Sequence, residues 1–63
     1  MVEFGKVWEI NTVEDFNDAM DTLERQDFIA EMSDDFGVWQ REKNEVARQQ
    51  RSVIAQAKAK GLI

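Results

Sequence analysis

Thr12, Thr22, Ser33 and Ser52 are the only side-chain hydroxyls in this chain, and no His exists to activate any of them as a nucleophile. Cys is absent as well, which removes any disulfide framework and any thiolate metal site. Lysine-based catalysis needs a buried amine of depressed pKa inside a pocket, and 63 residues leave little volume for one. The carboxylate pairs Asp15/Asp18 and Asp34/Asp35 have the chemistry to meet a cation. They fall on a solvated face or at a helix start, so capping is the expected role. No glycine-rich phosphate loop, GxSxG elbow, HExxH or EF-hand pattern occurs. The expectation is a protein that is not an enzyme, with no cofactor, no metal and no small-molecule substrate.

Chemistry in this chain therefore resides in charge and in apolar surface. The formal charge is −5, but it is unevenly distributed. Residues 1–35 carry 2 basic and 11 acidic side chains, whereas residues 36–63 carry 6 basic and 2 acidic. Such a split suggests a charged partner, or two halves that attract each other. Part of it also follows from the helix dipole, which favours acids at helix starts and bases at helix ends. A domain this short buries only about 60% of the surface its unfolded chain exposes, so disulfides, a metal or oligomerisation usually reinforce it. With the first absent, a homo-oligomer (a dimer before others) or docking on a larger assembly is expected. No apolar run approaches the ~20 residues of a membrane span, and the N-terminus lacks the layout of a signal peptide. The expected location is cytoplasmic, or inside a viral particle if the source is a phage.

Hydropathy patterning predicts a mainly α fold: an N-terminal extended arm or single strand, then a helical hairpin with one long C-terminal helix. Residues 1–11 alternate, with Val2, Phe4, Trp8 and Ile10 on one face and Glu3, Gly5, Val7 and Glu9 on the other. A lone strand cannot satisfy its own backbone, so it must pair with another chain or lie as an arm. Residues 12–25 form an amphipathic helix. Asn11 caps it, Glu14 reaches back, and Val13, Phe16, Ala19, Met20 and Leu23 span an arc of about 120°. Continuing that stripe would bury Asp27, which predicts a bend followed by a short helix over 27–32. Ser33 then caps a long helix over 34–60, which ends at Gly61 with Leu62 folding back.

On the long helix one seam contains Phe36, Trp39, Lys43, Val46, Gln50, Val53, Ala57 and Lys60, with Ile54 beside it. A buried Lys43 would need an acidic partner, which the first helix offers if the two run antiparallel. Arg41, Arg48, Arg51 and Lys58 project to a different side with no aromatic residue interleaved. The partner-binding residues expected from this pattern are Val2, Phe4, Trp8 and Ile10 on the arm, with Phe36, Trp39, Val46, Val53 and Ile54 on the helix. The order strand–helix–helix resembles the ribbon-helix-helix repressors, whose paired strands enter the DNA major groove. The outward strand positions here include Glu3 and Glu9, which phosphates would repel, so the resemblance stops at segment order and length. The leading functional expectation is protein–protein interaction or assembly, as a scaffold, structural or adaptor component of the kind a phage encodes. The alternative is a regulator of nucleic-acid transactions. It would bind DNA through Arg41, Arg48, Arg51 and Lys58, or present Glu14, Asp18, Asp21 and Glu24 as an acidic mimic of DNA.

Overall fold

The computed structural model describes residues 2–63. Two helices, α1 (Val13–Glu31) and α2 (Phe36–Ala59), are joined by a four-residue link, Met32 to Asp35. So short a link forces neighbouring antiparallel helices. Lys43 on α2 accordingly meets Asp27 and Glu31 near the end of α1. The result is a rod of 39 × 15 × 15 Å. Its length is close to the roughly 36 Å that a helix the size of α2 spans.

Each boundary has a local cause. At the start of α1 the hydroxyl of Thr12, not Asn11, accepts from the Asp15 backbone N–H at 3.1 Å. The Asp15 carboxylate accepts in return from the backbone N–H groups of Asn11 and Thr12, at 3.1 and 3.3 Å. The capping pair thus lies one residue beyond Asn11 and Glu14, where a single carboxylate serves two donors. At the start of α2 the carboxylate of Asp35 accepts from the Val38 N–H at 3.2 Å, displacing Ser33 from the cap. The helix runs on unbroken through Gly37. Its far end is a Schellman closure. Gly61 has a left-handed φ of +70°, its N–H donates to the Lys58 carbonyl, and the Leu62 N–H donates to Ala57 at 2.8 Å.

The predicted bend and separate helix over 27–32 do not form; α1 passes through Arg25, Gln26 and Asp27 without a break. Asp27 does occupy the stripe that faces α2, and Lys43 is the reason it can. The ammonium of Lys43 lies 2.8 Å from Asp27 and 2.9 Å from Glu31. Two polar interruptions, one in each stripe, answer each other. The same cation stands at the negative end of α1, whose last turn has no base of its own.

No strand is present among the described residues. The alternation of the N-terminal segment is broken by a turn at Phe4–Gly5, with Gly5 at φ +77°. Beyond the turn the segment lies back along α2 and contributes to the core. Ile10 is as buried as Leu23, Val46 and Val53, and Val2 joins them together with Ala19 and Ala57. Trp8, Phe16, Met20 and Leu62 pack around this cluster. Burying an aliphatic side chain of this size contributes about 1.5–3 kcal/mol. The hairpin is therefore completed by residues that precede it in sequence.

Candidate functional site

Glu45, Gln49, Ser52, Gln56 and Lys60 fall within an arc of about 80° on α2. This polar stripe holds the N-terminal segment. The Gln49 amide donates to the Glu3 carbonyl at 2.6 Å, and its oxygen accepts from the Trp8 indole N–H at 2.9 Å. Gln56 brackets the next stretch, donating to the Trp8 carbonyl at 2.7 Å and accepting from the Ile10 N–H at 3.0 Å. Lys60 donates to the Ile10 carbonyl and to the Asn11 side chain. Backbone groups that a strand would satisfy with another strand are satisfied here by side chains of a helix.

Glu45 anchors the other end of the stripe. Its carboxylate accepts from Arg48 at 2.6 Å, from Gln49 at 2.8 Å and from the Gly5 N–H at 2.9 Å. These bonds, Arg48 first, pull its pKa from the ordinary 4.5 to about 2. Arg48 is correspondingly raised by its bond to Glu45. Lys43 is raised by its hydrogen bonds to Asp27 and then Glu31, against a smaller lowering by burial.

The stripe leaves three surfaces uncovered. The first lies around the helix connection, where Phe28, Ile29, Met32 and Phe36 are 61, 50, 64 and 70% exposed. Phe36 stacks on half-buried Trp39 with ring centroids 5.6 Å apart. The second is a shallow groove of about 550 Å³ on the outer side of α2, lined by Phe4, Gly37, Gln40, Arg41, Asn44, Glu45, Arg48 and Arg51. The turn at Gly5 sends Phe4 out over this face, with the Arg41 guanidinium 5.9 Å from its ring. The basic face thus does have an aromatic neighbour, supplied from a distant part of the chain and invisible in the spacing of α2. The third is the outer side of α1, where Glu14, Asp18, Asp21 and Glu24 are exposed and Asp21 pairs with Arg25 at 2.9 Å.

The residues expected to bind partners divide accordingly. Val2, Ile10, Val46 and Val53 are buried in the chain's own core and present nothing to a partner, because the N-terminal segment and α1 cover them. Trp8 is half-buried against the same core, under a Lys6 ammonium 4.0 Å from its ring. Trp39 and Ile54 are also half-buried, while Phe4 and Phe36 stand open. Lys43 is committed to Asp27 and Glu31; Arg41, Arg48, Arg51 and Lys58 are exposed, with Arg48 tied to Glu45. Gln49 and Gln56, the residues that organise the segment, lie beside the apolar seam and not in it. Their signal is the recurrence of polar side chains (Glu45, Gln49, Ser52, Gln56 and Lys60) at i, i+4, i+7, i+11 and i+15 beside a lone segment with an unpaired backbone.

No group of three or more acidic side chains converges on a metal-sized site among the described residues. No helix among them is long and apolar enough to cross a membrane. Comparison with protein-family models, curated proteins and solved structures finds no match.

Proposed function

We propose that this chain is a non-enzymatic association protein, a prefolded helical hairpin that self-associates as a structural or adaptor component. The observation that carries the reading is the exposed cluster Phe28, Ile29, Met32 and Phe36 around the helix connection. Exposed large apolar groups occur singly on most monomers, but a contiguous group of this kind marks an interaction site. In this reading the N-terminal arm braces the long C-terminal helix and does not reach to another chain. Light scattering across a concentration series tests it, with wild type set against Phe28→Glu/Met32→Glu. Self-association predicts a mass that rises with concentration and falls in the variant. A wild type of single-chain mass at every concentration overturns it.

A second reading is supported by the position of Phe4 beside Arg41 over the arginine-lined groove. An aromatic ring next to guanidinium groups suits single-stranded nucleic acid, whose bases stack while its phosphates are neutralised. This regulator of nucleic-acid transactions would lose affinity steeply with salt. No gel retardation at low salt by micromolar protein excludes it. The acidic side of α1 supports the related mimic, which predicts a basic partner that NaCl elutes.

A further inference from the structure

The two outer faces of the hairpin carry opposite charge: Glu14, Asp18, Asp21 and Glu24 are exposed on α1, and Arg41, Arg48, Arg51 and Lys58 on α2. Lys43 bonds both Asp27 and Glu31, and Lys60 bonds Asn11, so the first half of α2 faces the end of α1 and its last turn faces the start of α1. In this antiparallel pair the start of α1, with Glu14, lies toward the end of α2, with Lys58, while Asp21 and Glu24 lie toward its middle, with Arg48 and Arg51. At about 100° per residue, Glu14 and Asp21 fall on the side of α1 opposite Leu23. Gly37, Asn44 and Arg48 likewise fall on the side of α2 opposite Val46, with Arg41 and Arg51 flanking them. Acids thus predominate on one outer side, with Arg25 paired to Asp21 among them, and bases on the other, where Arg48 is paired to Glu45.

The exposed apolar residues gather toward the connection end. Phe28 and Met32 are exposed at the connection end of α1, the end of the rod at which α2 begins with Phe36 and Gly37. Gly37, Gln40 and Asn44 line the groove together with Phe4.

We infer that the groove on α2 receives the outer face of α1 from a second copy of this chain, Phe28 and Met32 entering beside Phe4 while Glu14, Asp21 and Glu24 meet Lys58, Arg51 and Arg48. The inference rests on the self-association proposed above and names its surfaces. The copies stand side by side, α1 of one antiparallel to α2 of the next. Such a contact is heterologous, so an open dimer forms first and either closes into a ring or extends. Two-fold pairing of α2 with α2 would set arginine against arginine, and pairing of α1 with α1 would set acid against acid. Charge complementarity selects the mixed contact over both.

A charge-swap experiment tests the contact. Arg51→Glu/Lys58→Glu makes the patch expected to meet Glu14 and Asp21 acidic like them, and Glu14→Lys/Asp21→Lys makes the opposing patch basic. Each variant alone is expected to dissociate on the order of tenfold or more readily than wild type, because attraction becomes repulsion. Mixed in equal amounts they should regain the wild-type mass, each variant's changed face meeting the other's. Far-UV circular dichroism follows helicity in both. As a check that needs no variant, wild-type mass should fall between about 0.1 and 1 M NaCl, where the Debye length shrinks from ~10 to ~3 Å. A wild type that assembles, with variants that assemble equally well or fail to complement, overturns this contact and leaves self-association standing. A monomeric wild type overturns both. A monomer that shifts a single-stranded oligonucleotide, and stops doing so as Arg51→Glu/Lys58→Glu, assigns the groove to nucleic acid instead.

Discussion

Gln49 is the polar side chain buried in the core between the N-terminal segment and α2. It is 1% exposed, and it bonds Glu3, Trp8 and Glu45 at once. Removing it strands an indole N–H and a carbonyl away from water, and an unpaired buried group costs about 1–3 kcal/mol. Gln49→Ala is expected to lower stability by about 2–4 kcal/mol once the cavity is added, measured as a shift of the urea midpoint. A loss under about 1 kcal/mol would mean that Gln49 does not hold the segment. Glu45 adds a pH dependence with a definite sign. Its carboxyl titrates near 4.5 when free and about 2 in the fold, so the native state binds its proton later than the unfolded state. The stability this contributes is complete above about pH 4.5 and drains away as pH falls toward 2. Trp8, bonded to Gln49 next to Glu45, should report release of the segment by fluorescence in that acid window. Glu45→Gln should weaken the segment at neutral pH and flatten that dependence; an unchanged acid transition would show that other carboxylates control it.

At the scale of elements, apolar periodicity carries the two helices and Gly61 marks the end of α2, whereas both N-caps lie one or two residues beyond Asn11 and Ser33 and a single polar residue hides the length of α1. Asp27 in the apolar stripe looked like a phase break because one helix was read without its neighbour. Only the opposing Lys43 makes an unbroken helix through Asp27 acceptable, and that pairing is tertiary. The N-terminal alternation was legible as apolar on one face. Its partner was not, because side chains of α2 take the place that a strand's backbone would fill. Phe4 was legible as an apolar residue of that face but not as exposed, since Gly5 turns the chain there. The caps can be tested directly. Thr12→Ala removes the acceptor for the Asp15 N–H and should cost about 1 kcal/mol by thermal melting. Gly61→Ala forces a side chain into left-handed backbone at φ +70° and should also cost roughly 1 kcal/mol. If Gly61→Ala melts with wild type, the Schellman closure is not contributing to stability.

The whole molecule is a two-helix rod whose third layer is its own N-terminus, and this sets what truncation must do. A chain of this size has a stability of roughly 3–9 kcal/mol. Ile10 and Val2 are buried to 1 and 5% exposure, and together they contribute about 3–6 kcal/mol by burial alone. The bonds from Glu45, Gln49, Gln56 and Lys60 add to that, and without the segment these polar groups and the apolar core beside them face water. Deleting residues 1–10 should therefore remove most of the folding free energy. Helicity and the cooperative melt are both expected to collapse, even though neither helix is touched in sequence and the Thr12 cap remains. A segment that paired between chains would behave in the opposite way, its loss lowering the native mass while the helices stayed folded. Circular dichroism and light scattering on the same truncated sample separate the two. Full helicity at wild-type melting temperature would show that the segment is a passenger on α2, and the hairpin would then have to owe its stability to assembly.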